Sequence, residues 1–215
     1  MGRFEMIEYW NSAYPTLIKS FLTHMQLVYT SVVIALIIAI GIIYFFLNRG
    51  YWLDQLVYFF SALYSIPSYA LFAMLIPITG LGTISAMIVL ILYSEYVLLR
   101  TFITGIREID PIVIESAVAM GMTEKQLFFR IQLPLAAKSI FSGIRLALTS
   151  VTGIATIAAT INAGGIGTIF FDGLRTQNLI KMIWGTLLIM TLIILSNYLL
   201  RIIEKVSLRN IELGD

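Results

Sequence analysis

The polar residues whose types and spacing could support chemistry lie mainly in one stretch of an otherwise apolar sequence. That stretch reads ESAVAMGMTEKQLFFRIQLP and runs from Glu115 to Pro134. The chain has no cysteine, no H-E-x-x-H or G-x-S-x-G element, and one histidine, His24, which cannot form a metal site alone. We expect His24 to be an interfacial packing residue. The pattern favours a protein-interaction surface over a catalytic or metal site.

The composition identifies lipid as the solvent for most of the chain. Of its 215 residues 59% are hydrophobic and 12% are charged, with a mean hydropathy of +0.92, whereas soluble domains carry about 25% charged residues. A net charge of +2 is too small to suggest a nucleic-acid partner. The N-terminus lacks the apolar region and cleavage site of a signal peptide, so we expect it to remain in the mature protein.

Five apolar stretches are long enough to cross a bilayer as helices, which takes about 20 residues each. They lie near 22–47, 55–78, 83–104, 140–162 and 180–203, and most of the breaks between them carry glycine-rich turn chemistry. The sequence therefore predicts an all-α polytopic membrane protein with a single domain over 1–215. Residues 1–20, with Trp10 and Pro15, are predicted to lie on the outer leaflet, with a disordered tail as the alternative.

The lysines and arginines predict the orientation of these spans. Four of the 14 fall outside under the favoured assignment: Arg3, Lys19, Arg175 and Lys181. The other ten lie on or near the inner side: Arg49, Arg100, Arg107, Lys125, Arg130, Lys138, Arg145, Arg201, Lys205 and Arg209. Because positive residues are enriched in cytoplasmic loops, the N-terminus is predicted outside and the C-terminus inside. Residues 105–138 then form a cytoplasmic loop.

Helix-start and helix-stop signals predict two short helices in this loop. Asp110 and Pro111 suit the N-cap and first position of a helix, and Gly121 suits a left-handed C-terminal residue. Thr123 and Gln126 fit a capping box that starts a second helix, which Pro134 is expected to end near Gln132. The product is a rigid knob with a bend at the glycine.

The knob is predicted to present small and large apolar groups together: Ala117 and Met120 beside Phe128, Phe129 and Arg130. Such a surface suits the passage of force between two proteins. The alternative is a helical hairpin that merely joins two spans.

The spacing E-x-A-x3-G-x9-I-x-L-P gives the loop a resemblance to a known family. Its fixed points are Glu115, Ala117, Gly121, Ile131, Leu133 and Pro134. The pattern resembles the "EAA" loop by which permease subunits of bacterial ATP-binding-cassette (ABC) importers dock on their ATPase, with Ser116 departing from the usual alanine. The resemblance implies docking by Glu115, Ser116, Ala117, Met120, Gly121, Met122, Thr123, Gln126, Phe129, Arg130, Leu133 and Pro134.

The resemblance extends from about Thr23 to Gly173 and is closest to permeases of osmoprotectant importers. Segments that carry it include Ser65-Ile66-Pro67-Ser68 and Ala163-Gly164-Gly165-Ile166-Gly167. It implies a multi-pass protein of the bacterial cytoplasmic membrane, a second identical or sister permease, a separate ATPase that binds ATP and Mg²⁺, and an extracytoplasmic substrate-binding protein or domain. This chain itself would bind no cofactor. Glycine betaine, carnitine or choline is the implied solute, with ergothioneine or an amino acid as alternatives.

Four residues within the spans are candidates for the translocation pathway: Pro67, Glu95, Gly153 and Thr156. Pro67 should kink its helix, either as a hinge or as packing geometry. Gly153 and Thr156 belong to a small-residue face suited to close helix contact. Glu95 is expected to face a water-filled cavity, where it would favour a cationic solute, or to lie near the inner interface, paired with Arg100 or simply snorkelling.

Two other function classes are disfavoured by the sequence. A secondary transporter or channel usually shows an inverted repeat or broken spans that hold ions, and five spans do not divide into equal halves. The sequence also lacks the nucleophile and the metal ligands that a membrane-embedded enzyme would need. In the outer stretch, Asp172 and Arg175 are expected either to contact the binding protein or to remain solvated.

Overall fold

The computed structural model describes residues 3–212, with side-chain surroundings for 4–209, and this part of the chain is helical without a strand. Ten α-helices follow one another in these described residues. They are α1 (Arg3–Phe46), α2 (Gly50–Ser65), α3 (Ser68–Thr79), α4 (Thr83–Arg107), α5 (Pro111–Ala119), α6 (Glu124–Leu127), α7 (Leu133–Leu135), α8 (Ala137–Ile157), α9 (Gly167–Arg175) and α10 (Leu179–Glu212). A π-helix (Phe128–Gln132) precedes α7, and a 3-10 helix (Ala158–Ile161) follows α8.

Four described helices, α1, α4, α8 and α10, are each long and apolar enough to cross a membrane. A fifth span would be the pair α2 and α3, which is bent by 100° at Pro67. The kink predicted at Pro67 is therefore a full break between two helices in the span expected over 55–78. The residue before a proline is disfavoured in helical geometry, and Ile66 is extended, with φ −71° and ψ 133°. The Tyr93 hydroxyl donates a hydrogen bond to the Ile66 carbonyl, so the break leaves that oxygen satisfied.

The first helix continues without interruption from Arg3 into the predicted first span. Its 44 residues extend about 66 Å at 1.5 Å per residue, roughly twice the hydrocarbon thickness. The N-terminal part packs on α10, because the Trp10 and Trp184 rings lie 5.0 Å apart and Trp184 Nε1 donates to the Met6 carbonyl at 3.3 Å. Its location on the outer leaflet stays a prediction.

Helix α4 lies at the centre of the fold, packed between α1 and α8. One core cluster gathers around Val89, Leu90 and Phe72, and a second around Leu98, Leu99 and Phe102. Fully buried Ala35 and Ala39 on α1 contribute small residues to this packing. By contrast, α10 leaves a row of large apolar side chains exposed along its length, as expected of a lipid-facing helix.

Candidate functional site

Helix α5 begins with the N-cap that the sequence predicts. Asp110 Oδ1 accepts a hydrogen bond from the Ile112 N–H at 2.9 Å, and Pro111 occupies the first helical position. This bond satisfies one of the backbone donors that a helix start leaves free.

The bend after α5 is a left-handed glycine, also as predicted. Gly121 has φ +81°, and the two hydrogen bonds of a Schellman motif close the helix end. The Met122 N–H donates to the Ala117 carbonyl at 3.2 Å and the Gly121 N–H to the Val118 carbonyl at 2.9 Å. A Cβ added to Gly121 would meet nothing within 4 Å. Glycine is thus required at this position because of the backbone conformation, and not because a larger side chain would clash with the rest of the chain.

The capping box at Thr123 is present and starts α6. The Gln126 N–H donates to Thr123 Oγ1 at 3.3 Å, and the Thr123 N–H donates to Gln126 Oε1 at 2.9 Å. Together with the Schellman motif, these bonds fix the angle between α5 and α6 from both sides.

Pro134 does not end the second helix, which corrects the sequence-based expectation. Helical backbone continues through the π-helix Phe128–Gln132 into α7, with Pro134 in the first turn of α7. The Leu133 N–H bonds to the Phe128 carbonyl, five residues back. This change to π-helical hydrogen bonding lets the helical backbone continue into Pro134, which has no N–H to donate.

The predicted docking residues divide by exposure, and two expectations about the knob are wrong. Ala117 is 1% exposed and Phe128 is 3% exposed, so neither is presented to a partner. Phe128 packs instead against Tyr44 of α1 at 5.3 Å and anchors the loop. Exposed residues are Glu115, Ser116, Met120, Gly121, Thr123, Gln126, Phe129 and Arg130, while Met122, Leu133 and Pro134 are half-buried.

The surface that results is apolar at its tip. Met120 is 73% exposed, Val118 56% and Phe129 46%, with Arg130 exposed beside them. Large apolar side chains clustered on a polar loop mark a protein-interaction site. The knob stands at the same end of the molecule as the ion pair between Arg107 and Asp54, 2.9 Å apart.

At the opposite end, His24 is a buried hydrogen-bonding residue and not an interfacial one. It is 0% exposed. Its Nε2 lies 3.1 Å from the Thr152 carbonyl, and its Nδ1 accepts from the Ile166 N–H at 3.2 Å. This pattern requires the neutral imidazole with the proton on Nε2. The ring packs on Gly165, whose φ is +81°, so the glycine-rich turn was the sequence signal for this contact.

A group of ion pairs at this same end joins α9 to α10. Asp172 accepts from Lys181 Nζ at 2.6 Å and from Arg175 Nη2 at 2.8 Å. The hydrogen bond from Lys181, and after it the one from Arg175, lowers the pKa of the Asp172 carboxyl below its ordinary value of 3.8.

Three of the four pathway candidates lie at surfaces of the chain or close to them. Pro67 is exposed at the break between α2 and α3, and Gly153 is exposed on α8 with nothing within 4 Å of an added Cβ. Thr156 is half-buried, and its hydroxyl donates to the Thr152 carbonyl at 3.3 Å.

Glu95 does not face a water-filled cavity, and this expectation is wrong. Its side chain is 1% exposed, and neither carboxyl oxygen has a hydrogen-bond partner among the described residues. The expected alternative, a pair with Arg100, is absent too, because Arg100 Nη1 donates to the Tyr96 hydroxyl at 2.6 Å. Which face of a helix points inward depends on neighbouring helices, and α4 is packed on several sides.

A cavity of about 400 Å³ lies between α4 and α8, and sequence reasoning missed it. Tyr64 of α2, Tyr96 and Arg100 of α4, and Ser142 and Ser150 of α8 contribute to its wall. Residues from three helices meet here, so no local spacing announces the site. At 100° per residue, Glu95 lies on the face of α4 opposite Thr104, another lining residue.

Comparison with known proteins agrees with this geometry. The model of the family described as "Binding-protein-dependent transport system inner membrane component" matches residues 31–209. The carnitine transport permease protein OpuCD of Listeria monocytogenes is 33% identical over 174 residues, covering 81% of this chain and 78% of that protein. The choline transport system permease protein OpuBB of Bacillus subtilis is 30% identical, with 85% and 84% covered.

A further relative is longer than this chain. The ergothioneine transport permease/ergothioneine binding protein EgtU of Helicobacter pylori is 40% identical over 127 residues, which are 59% of this chain and 23% of that protein. Among solved structures, a chain of the MetNI methionine ABC transporter superposes with a TM-score of 0.80 at 19% identity, covering 91% of this chain and 98% of that one. That likeness supports the fold. The chain is a multi-pass membrane protein and belongs to the family of binding-protein-dependent transport system inner membrane components.

Proposed function

We propose that this chain is the permease subunit of an ATP-driven importer in the bacterial cytoplasmic membrane and that its 105–138 loop docks on a separate ATPase. The observation that carries the proposal is the knob, whose bend is fixed by a Schellman motif and a capping box and whose tip exposes Met120, Val118 and Phe129. Rigid, exposed apolar groups are what a groove on another protein would bind.

The proposed orientation places the knob in the cytoplasm, the N-terminus outside and the C-terminus inside. The excess of lysine and arginine at the knob end supports it. Because the chain has no cysteine, single-cysteine variants can test it. Lys125→Cys should react with a membrane-impermeant thiol reagent only in inside-out vesicles, and Thr176→Cys only in right-side-out vesicles. The reverse pattern would refute the orientation.

The proposed solute is a small quaternary amine or a related zwitterion. Relatives named for carnitine, choline and ergothioneine transport support this class. A second permease, identical or a sister chain, and an extracytoplasmic binding protein would complete the complex, with lipid around its apolar faces. Pro67, Gly153 and Thr156 are proposed to belong to the translocation pathway. ATP and Mg²⁺ would bind the ATPase.

Purification from the native membrane tests the proposal. A dedicated ATPase should co-purify with the wild-type chain and be lost in Gly121→Val, since a β-branched residue is strained at positive φ. Asn162→Val is the control, because Asn162 is also left-handed, with φ 64° and ψ 24°, and is exposed but lies outside the loop. Solute uptake driven by an ion gradient, with no ATPase bound to the wild-type chain, would refute the importer proposal.

A further inference from the structure

The wall of the cavity between α4 and α8 is mixed, with several polar groups among apolar ones. It carries the hydroxyls of Tyr64, Tyr96, Thr101, Ser142 and Ser150 and the guanidinium of Arg100, all within apolar spanning helices or the bent pair. Polar and ionisable groups at membrane depth face protein or a water-filled space and often mark a substrate path. This face is therefore either covered by another chain or filled with water and solute.

Arg100 is held in an unusual position for a cation near the end of a spanning helix. Its guanidinium donates to the Tyr96 hydroxyl at 2.6 Å and lies 5.9 Å from the centre of the Tyr96 ring. Tyr96 is one turn deeper in α4, so the side chain points away from the Arg107 end instead of snorkelling toward it. No carboxylate among the described residues pairs with Arg100. Most of its five N–H donors are thus available to an anionic group.

Aromatic rings stand next to this cation. The Tyr64 and Tyr96 rings lie 4.9 Å apart and both line the cavity. Glu95 does not line the cavity, because it is buried on the opposite face of α4. Glu108, also in the wall, is eight residues further along and so about 12 Å away along the helix axis. The cavity combines donors for a carboxylate with aromatic surface for an alkylammonium group.

We propose that this cavity is a binding site for a small zwitterion on its way through the permease, with Arg100 pairing with the carboxylate and Tyr64 and Tyr96 facing the cationic end. The proposal rests on the proposed function and deepens it. It predicts that solutes with a carboxylate, such as glycine betaine, depend on Arg100, whereas choline, which has none, does not.

Thiol labelling tests the cavity without requiring a known solute. We expect Ser142→Cys, in the assembled complex in inside-out vesicles, to react with anionic sulfonatoethyl methanethiosulfonate faster than with the cationic trimethylammonioethyl reagent, after normalisation to a free thiol. Charges within about 10 Å in a partly solvated site change such rates several-fold, so Arg100→Gln should reduce the preference roughly 3- to 30-fold. Arg201→Gln, an exposed arginine of α10, should leave it unchanged, and lipid-facing Met190→Cys should not react.

Three labelling results would overturn the proposal. The first is no reaction of Ser142→Cys with either reagent, which means that another chain covers the face. The second is an anionic preference that survives Arg100→Gln. The third is a preference that appears only when anionic lipid is removed from the vesicles, which means that a lipid headgroup occupies Arg100.

Uptake by the reconstituted complex tests the solute class. Losing charge-assisted hydrogen bonds should lower glycine betaine uptake by roughly 10- to 100-fold in Arg100→Gln, with choline uptake changed less than about twofold and Arg100→Lys intermediate. Equal loss for both solutes, or a wild-type complex that carries choline alone, contradicts the carboxylate role while leaving the importer intact. If no ATP-driven uptake occurs but the labelling preference holds, the proposed function and the transport site both fail, and only an anion-attracting cavity at Arg100 remains.

Discussion

The conformation of Gly121 gives the sharpest test of how the knob works. Its φ of +81° would cost an ordinary L-residue about 1–3 kcal/mol, with asparagine near the lower limit and β-branched valine near the upper one. An added Cβ meets nothing within the chain, so the cost is conformational. If docking needs this bend, the ATPase affinity should fall about 5-fold for Gly121→Asn and about 100-fold for Gly121→Val.

The order of the variants separates conformation from bulk. Asparagine is larger than alanine but tolerates the left-handed region better, so the bend predicts the affinity order Gly, Asn, Ala, Val. If side-chain bulk at position 121 blocks docking instead, the affinity should fall in the order Gly, Ala, Asn, Val. The assay is the affinity of the purified ATPase for each permease variant in nanodiscs, with Asn162→Ala and Asn162→Val, at a left-handed position outside the loop, as controls for folding. An affinity lower for asparagine than for alanine would refute the conformational account.

The remaining predictions concern groups away from the knob. Glu95→Gln should leave uptake of a cationic solute within about twofold of wild type, because the Glu95 side chain is buried and does not line the cavity; a tenfold loss in uptake assays would return Glu95 to the pathway. His24→Phe should lower stability by about 1–3 kcal/mol by leaving the Ile166 N–H unsatisfied, measured by thermal unfolding in detergent; an unchanged Tm contradicts a stabilising role for the His24 hydrogen bond. The lowered pKa of Asp172 means that its ion pairs stabilise the fold above pH 3.8 and lose that effect as pH falls through the lower folded-state value. Asp172→Asn should therefore lower Tm at pH 7 and lower it less near pH 3; a constant difference contradicts the assignment.

Local signals were predictable from sequence because their partners lie within a few residues. The Asp110 cap, the Gly121 bend and the Thr123–Gln126 box each depend on backbone groups two to five positions away. Interactions between distant segments could not be predicted in this way. Ala117 is small enough for a surface contact but is buried, and the π-helix that leads into Pro134 has no distinctive residue pattern.

The spanning helices show the same difference between local signals, which were predictable, and long-range packing, which was not. Hydropathy located the apolar segments, and Pro67 predicted a bend, but its 100° extent depends on how α3 packs against α4. The sequence shows only how deep Glu95 lies in its span. The face of α4 on which it lies follows from the packing of neighbouring helices. The cavity around Arg100 needed three helices to be in position before its lining residues became neighbours.

The most direct test of the central claim is solute uptake by proteoliposomes that contain this permease, its co-purifying ATPase and the binding protein. We expect accumulation of a quaternary amine or zwitterion that requires ATP on the knob side and is lost in Gly121→Val but retained in Asn162→Val. Accumulation without ATP, or equal uptake by wild type and Gly121→Val, would contradict it.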